Sequence, residues 1–355
     1  MPSANDYITK EERTARVAAW LEITTYTDLV TFFLSTTING ILLNLIKTES
    51  PKHFGNYVYL MMAFSINSLV FAAIHAFIQP IISTEKYVVF VFTSTNYLEL
   101  PRRVMGGLLA VYGTSYSQTL IFIAIQFIYR FFTISRRKYL HYFKGNFLAV
   151  WFAIVGVFGV NWGLCIFFIA QETEEIDEIL RPVMMSSFEL NMTDVYYVAA
   201  SYEIQDDRGR RILNWKVIFM VLNFACILGI SLTIIILCIC FIHYRMQRVS
   251  YSKVYKSVQK QLFRALISQM IIPLILIYVP IICVLILPLF HFKNDASISV
   301  PSILISLYPV LEPFAVIMII SVYRNGFYSM FSSAPRNRVA HLDTSGNSVQ
   351  SGQGA

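Results

Sequence analysis

SQTLIFIAIQFIYRFFTISRRK, residues Ser117 to Lys138, carries the deciding pattern: an uncharged apolar run ends abruptly at Tyr129-Arg130 and gives way to a basic cluster. The apolar part is long enough to cross a bilayer as a helix, and its end places Arg130 where that helix meets water. Hydropathy outward from this stretch gives seven spans, Leu29 to Ile46, Val58 to Ile78, Val104 to Ile128, Phe147 to Ala170, Val217 to Ile242, Ala265 to Phe290 and Ile298 to Val322. Each is close to the ~20 apolar residues that traverse ~30 Å of hydrocarbon, where a spanning chain must satisfy its own backbone as helices or a closed barrel. An all-α membrane protein, a seven-transmembrane helix bundle, follows.

Composition agrees. The chain is 56% hydrophobic and 14% charged, with a mean hydropathy of +0.58, far from the roughly 25% charged residues of soluble domains. One membrane domain, 24–322, uses most of the chain, between an amino-terminal segment, 1–23, and a tail, 323–355. The polar start MPSANDYITKEERTAR lacks the apolar core of a secretory signal, so the first span directs insertion.

Charge sets the orientation. The loops after spans one, three and five hold Lys47 and Lys52, then Arg130, Arg136, Arg137, Lys138 and Lys144, then Arg245, Arg248, Lys253, Lys256, Lys260 and Arg264. The short loops after spans two and six hold only Lys86, Arg102, Arg103 and Lys293. The positive-inside rule then puts the amino terminus outside and the carboxyl terminus in the cytoplasm. The net charge of +7 is accordingly a topology signal. Basic residues that flank apolar spans, rather than lining a soluble face, argue against nucleic-acid binding.

On the third span Tyr112, Tyr116, Thr119, Ile123, Gln126 and Arg130 recur at steps of three or four, one helical face, which must point into the bundle because hydroxyls and amides are costly against hydrocarbon. Its outer half, Tyr112, Tyr116 and Thr119, is a candidate lining for a small-molecule pocket, with internally bonded helix packing as the equal alternative. His75 on the second span is a further candidate, against the reading of a satisfied core histidine. Asn39 and Asn67 suit an interhelical hydrogen-bond network. Glu312 reads as the only carboxylate deep in the spans, either protonated, bonded to Asn39 or Asn67, or holding a cation. Pro273, Pro280, Pro309 and Pro313 should weaken or kink spans six and seven.

Outside the spans, Tyr87 to Thr93 is too short to cross and rich in β-branched and aromatic residues, so it reads as a small extracellular strand or hairpin packed on the bundle mouth. The long acidic segment Gln171 to Asn214 reads as a solvated surface loop rather than a cation trap, and carries a glycosylation sequon at Asn191. All five cysteines lie within spans, so no extracellular disulfide is expected. Neither the histidines nor the cysteines form a metal-binding pattern, and no acid/base or nucleophile motif indicates an enzyme or a cofactor. The tail opens with YRNGFYSMF, suited to a short amphipathic helix on the inner leaflet, and turns polar beyond Pro335.

Several segments together resemble the nematode seven-transmembrane chemoreceptors of the str type, a group that includes an odorant receptor for a small diketone. They are QKQLFRALISQMIIPLILIYVP (Gln259 to Pro280), Tyr308-Pro309 with Leu311 and Glu312-Pro313, the YRFF closing span three, Asn39 followed by LIKT, and Gln79-Pro80. The likeness extends from the first span to the seventh. It implies a G-protein-coupled receptor in the plasma membrane of sensory-neuron cilia, with a small odorant or a water-soluble cue and a heterotrimeric G-protein as partners. It also implies that Tyr129, Arg130, Arg264 and Glu312 belong to the coupling and switching machinery. Tyr129-Arg130 would occupy the site of the acidic-Arg-aromatic motif of rhodopsin-like receptors, and Glu312-Pro313 that of their Asn/Asp-Pro. Tyr129 stands where an acid would lock Arg130, and Glu312 is one methylene longer than the family's common Asp. A seven-helix transporter or ligand-gated channel is the alternative, although neither an inverted repeat nor a line of intramembrane charges is visible.

Overall fold

The computed structural model describes residues 10–94, 100–206, 208–248, 253–286, 288 and 300–331. The amino-terminal residues 1–9, Asp207, Lys293, the far end of span six at Phe290, the start of span seven at Ile298 and the polar tail lie outside the described residues.

Among those described, seven helices are long and apolar enough to cross a membrane. They belong to α1 (Lys10–Glu49), α2 (Tyr57–Ile78), α3 (Arg102–Ser135), α4 (Asn146–Ile169), α6 (Trp215–Arg248), a broken helix made of α7 (Lys253–Pro273) and α8 (Val279–Ile286), and α9 (Val300–Ile319). Several run past the hydropathy limits because polar turns extend a helix beyond hydrocarbon at no cost. α3 is the axis: 78% of its most apolar window is buried, against 17% for α4. It packs on α2, α4, α6 and α7, while α1 closes the ring against α2 and α9.

Close approach of α4 to α3 rests on small residues. A Cβ on Gly163 would strike the Thr114 hydroxyl oxygen and fall 3.1 Å from the Ala110 carbonyl oxygen, and one on Gly159 would strike Gln118 and Thr114. Gly156 has open space around it.

The proline positions act as expected in span six. Pro273 has no N–H for the carbonyl one turn back, and between it and Pro280 the helix widens into a π turn, Leu274–Tyr278. In α9, Pro309 and Pro313 are carried inside a continuous helix.

The strand expected at Tyr87 to Thr93 is present as β2 (Val88–Ser94), in a hairpin with β1 (Ile81–Glu85). The long acidic segment departs from the expected solvated loop. It folds as α5 (Glu174–Val183), then β3 (Val195–Ser201), which pairs antiparallel with β2 with Phe90 opposite Ala199, then the small β4 (Glu203–Gln205) and β5 (Arg211–Leu213) ribbon. Several of its carboxylates have structural partners or positions. Glu174, Glu175 and Asp177 sit in the first turn of α5, where acid complements the helix dipole. Glu172 pairs with Arg102, and Asp177 accepts from the buried Tyr197 hydroxyl. Tyr202 donates to the Leu285 carbonyl at 2.9 Å, and burial pushes its hydroxyl up to about 12. The sheet is thereby fixed across one end of the bundle.

At the opposite, basic end, α10 (Ser321–Phe331) is the short tail helix that the sequence suggested. It docks on α1: a Cβ on Gly326 would lie 2.7 Å from Leu45, and Tyr323 bonds Ser50 at 2.7 Å.

Gly163→Val should lower the melting temperature of the detergent-solubilised protein by several degrees, since overpacking costs about 1–3 kcal/mol. Gly156→Val, made where nothing lies nearby, should leave it unchanged.

Candidate functional site

The α3 face is buried along its whole length: Tyr112 and Tyr116 are 4% and 5% exposed, Thr119, Ile123 and Gln126 fully enclosed, and Arg130 2% exposed. Toward the sheet end this face opens on a cavity of about 150 Å³. Tyr112, Gly113 and Tyr116 form one wall, Trp162 with Phe224 another, and Ile281 with Val284 of α8 a third. Strand residues Ile82, Val89, Val91, Val198 and Ala200 form the cover. Trp162 and Phe224 stack at 3.8 Å with their planes 4° apart, a flat aromatic surface.

Behind the two tyrosines runs a hydrogen-bonded chain. Tyr116 donates to the Tyr112 hydroxyl at 2.8 Å, Tyr112 bonds His75 Nδ1 at 2.7 Å, and His75 Nε2 bonds Asp28 Oδ1 at 3.2 Å. With Tyr112 accepting from Tyr116, its single proton is directed to Nδ1, which assigns the imidazole hydrogen to Nε2 and aims it at Asp28. Phe71 braces the chain, stacking on Tyr112 at 5.2 Å and meeting the edges of Tyr116 at 5.3 Å and Tyr308 at 5.7 Å.

Of the four residues expected at a ligand, Tyr112 and Tyr116 line the cavity, while His75 and Thr119 stand outside its lining. His75 orients Tyr112 from behind. Thr119 accepts from Asn67 at 3.2 Å and donates to the Ser115 carbonyl at 2.9 Å, in the layer beneath. Asp28, fully buried, is a second intramembrane carboxylate, which corrects the reading of Glu312 as the only one. A charge within a span demands a partner, and a histidine near the same end of the next span was the available signal.

Below the cavity, polar residues link helices pairwise. Tyr278, in the π turn, donates to the Tyr116 carbonyl at 3.0 Å. Asn39 donates to the Pro309 carbonyl at 2.9 Å and accepts from Ser65 at 2.8 Å. The Pro309 carbonyl is the one that Pro313, lacking an N–H, leaves without its helical donor, so Asn39 supplies what the proline removed. Glu312 bonds neither Asn39 nor Asn67. Its Oε1 accepts from Gln269 of α7 at 2.6 Å, joining spans six and seven.

At the basic end Arg130 does not meet water. Its guanidinium lies 3.7 Å from the centre of the Tyr57 ring. The short connection between α1 and α2 folds under it, bringing Phe54 to 6.0 Å from the guanidinium. Tyr129 stacks on Tyr57 at 5.5 Å and donates to the Phe54 carbonyl at 3.1 Å. An aromatic shelf thus holds Arg130 where an acid at position 129 would have, and a desolvated cation over such faces gains about 2 kcal/mol. Arg130 Nε and Nη2 have no hydrogen-bond acceptor among the described residues. Arg264 is exposed, on the α7 face turned to the end of α6. Asn191 is exposed beside β3, its amide 3.3 Å from Asp194.

Residues 24–328 match the profile of a family described as serpentine type 7TM GPCR chemoreceptor Str. Serpentine receptor class r-10 of Caenorhabditis briggsae is 26% identical over 325 residues, covering 90% of this chain and 94% of the relative. G-protein coupled receptor str-33 of Caenorhabditis elegans is 24% identical, covering 84% and 88%. Serpentine receptor class J-38 of the same organism is 23% identical, covering 82% and 88%.

Asn39→Leu strips the Pro309 carbonyl of its donor and the Ser65 hydroxyl of its acceptor at once and should cost about 1–3 kcal/mol, read as a lowered melting temperature in detergent. Asn67→Leu, which breaks only a 3.2 Å bond, should cost less.

Proposed function

The chain belongs to the Str family of serpentine seven-transmembrane chemoreceptors, and from that premise we propose that it binds a small apolar molecule in the cavity under the sheet and activates a heterotrimeric G-protein at the basic end. The carrying observation is that one buried face of α3 presents Tyr112 and Tyr116 to the cavity and ends in Arg130. The relatives bear the names of receptors, and the family match does not favour a transporter or channel.

The sheet end is extracellular and the basic end cytoplasmic, supported by the distribution of Lys and Arg among the loops. Residues 1–23 then lie outside, 24–322 form the receptor domain and 323–355 the cytoplasmic tail, with Asn191 exposed on the side where glycosylation occurs. The protein resides in the plasma membrane, in the cilium of a sensory neuron, as its family implies.

A cavity of this size suits a ligand of few atoms; one of about 150 Å³ admits a benzene-sized guest. Its walls are almost wholly apolar, which favours an odorant-like compound over a strongly hydrated cue. A carbonyl or hydroxyl on the ligand competes for the Tyr116 proton, otherwise given to Tyr112. The ligand also touches Ile281 and Val284, beyond the π turn that Tyr278 ties to α3. Displacing that wall strains the tie, and a π turn next to two prolines is where span six yields most easily. Movement of α7 then breaks the Gln269–Glu312 bond and uncovers Arg130, with Arg264 and the basic segments around it, to the G-protein. The ligand drives this only through its preference for the opened packing.

The test is expression with a promiscuous G-protein reporter and a panel of small volatile and water-soluble compounds. Arg130→Ala should reach the surface and lose the response, and Tyr116→Phe should weaken potency about fivefold for a ligand that hydrogen-bonds there. An amino-terminal epitope should be accessible on intact cells. Solute-dependent current without G-protein would contradict the reading.

A further inference from the structure

A second cavity, of about 370 Å³, lies at the basic end between the last turns of α6 and the first turns of α7. It shares Arg264 with the basic end proposed to meet the G-protein, and its other lining residues lie off the contacts traced from the ligand cavity to Arg130. Lys256, Lys260 and Arg264 line it from α7, spaced four residues apart and therefore stacked on one face over about 12 Å. Met246, Phe263 and Ile267 supply apolar surface in the same groove. His243 and Gln247 bond each other at 2.8 Å on the α6 side.

The order along the groove matters. Outward from the hydrocarbon the α7 lining runs Ile267, Arg264, Phe263, Lys260 and Lys256, so the apolar side chains lie in the deeper half beside Arg264 and the two lysines form the outer end. The chain carries no Asp or Glu from Trp215 to Lys293, and among the described residues none of the three cations is ion-paired. Charge spread over 12 Å exceeds what one phosphodiester needs, and apolar surface beside it is wasted on a soluble anion.

We propose that this groove binds one anionic phospholipid whose headgroup carries additional phosphate, a phosphoinositide, with an acyl chain against Phe263 and Ile267 and its phosphates along Arg264, Lys260 and Lys256. Bound there, the lipid bridges the ends of α6 and α7 through a negative charge that neither helix has. Lipid binding there requires only that the protein span a bilayer, so it is read separately from the ligand and from G-protein stimulation.

The full-length protein in phosphatidylcholine nanodiscs is titrated with phosphatidylinositol 4,5-bisphosphate, and bound lipid is counted by native mass spectrometry. One saturable site is expected, with Lys256→Gln/Lys260→Gln lowering affinity about thirtyfold, since each cation near a membrane surface is worth about fivefold. Lys256→Arg/Lys260→Arg should retain binding and shows that the groove remains folded. Lys138→Gln/Lys144→Gln, which removes the same charge from another loop, should have no effect. An equal loss in that control would reduce the site to diffuse attraction, and no loss in the groove variant would remove it. Equal affinity for soluble inositol trisphosphate would make it a free-phosphate site. Normal lipid binding with loss of G-protein stimulation alone in the groove variant would assign the groove to the protein partner. Each of these overturns the proposal.

Discussion

A helix in hydrocarbon has no water to turn to, so a polar group it carries is met within the helix or by another helix, or stays open at a cost. That constraint organises the bundle. Pro273, Pro280, Pro309 and Pro313 lack the backbone donor a helix interior uses, and polar side chains reach from one helix to a carbonyl or carboxyl of the next. Asn39 reaches the Pro309 carbonyl, Tyr278 reaches the Tyr116 carbonyl, and Gln269 reaches Glu312. The result is a core held by a few directional bonds in which α3 is the common partner of the ring.

A π turn beside two prolines is where span six yields most easily. The chain from Asp28 through His75 to Tyr112 and Tyr116 fixes the cavity wall, while the α8 wall is anchored mainly by Tyr202 from the sheet and by Tyr278. In the proposed reading, a ligand between the two would meet one stiff side and one that can give. At the other end Arg130 is restrained by ring faces rather than by a carboxylate. The cost of freeing it is desolvated cation–π contact, about 2 kcal/mol.

Much of this was legible in the sequence, for physical reasons. Uninterrupted apolar runs admit one reading in length and one in class, and the three-to-four spacing on α3 fixed which side chains face inward. Pro273 and Pro280 announced the break that became the π turn. What the sequence hid were pairings across helices. Asp28 sat near the end of a span, where hydropathy cannot tell a buried acid from a wetted one, and only its contact with His75 makes it interior. Arg130 was read as the helix foot because charge marks the water boundary on average, yet the Phe54 to Tyr57 connection folds beneath it. The acidic segment looked solvated because its carboxylates were counted, whereas its Val195 to Ser201 strand is decided by pairing with β2, which no local pattern reveals.

The central claim is that filling the cavity under the sheet alters the basic end. It can be tested without knowing the ligand, by placing a single reactive cysteine at Val284, with Cys165, Cys226, Cys238, Cys240 and Cys283 replaced by serine, and tethering small apolar thiol reagents there. The account predicts that a tethered benzyl group raises G-protein signalling above the unlabelled protein, and that Arg130→Ala abolishes the rise. Complete labelling with unchanged signalling, in a protein present at the cell surface, would contradict it.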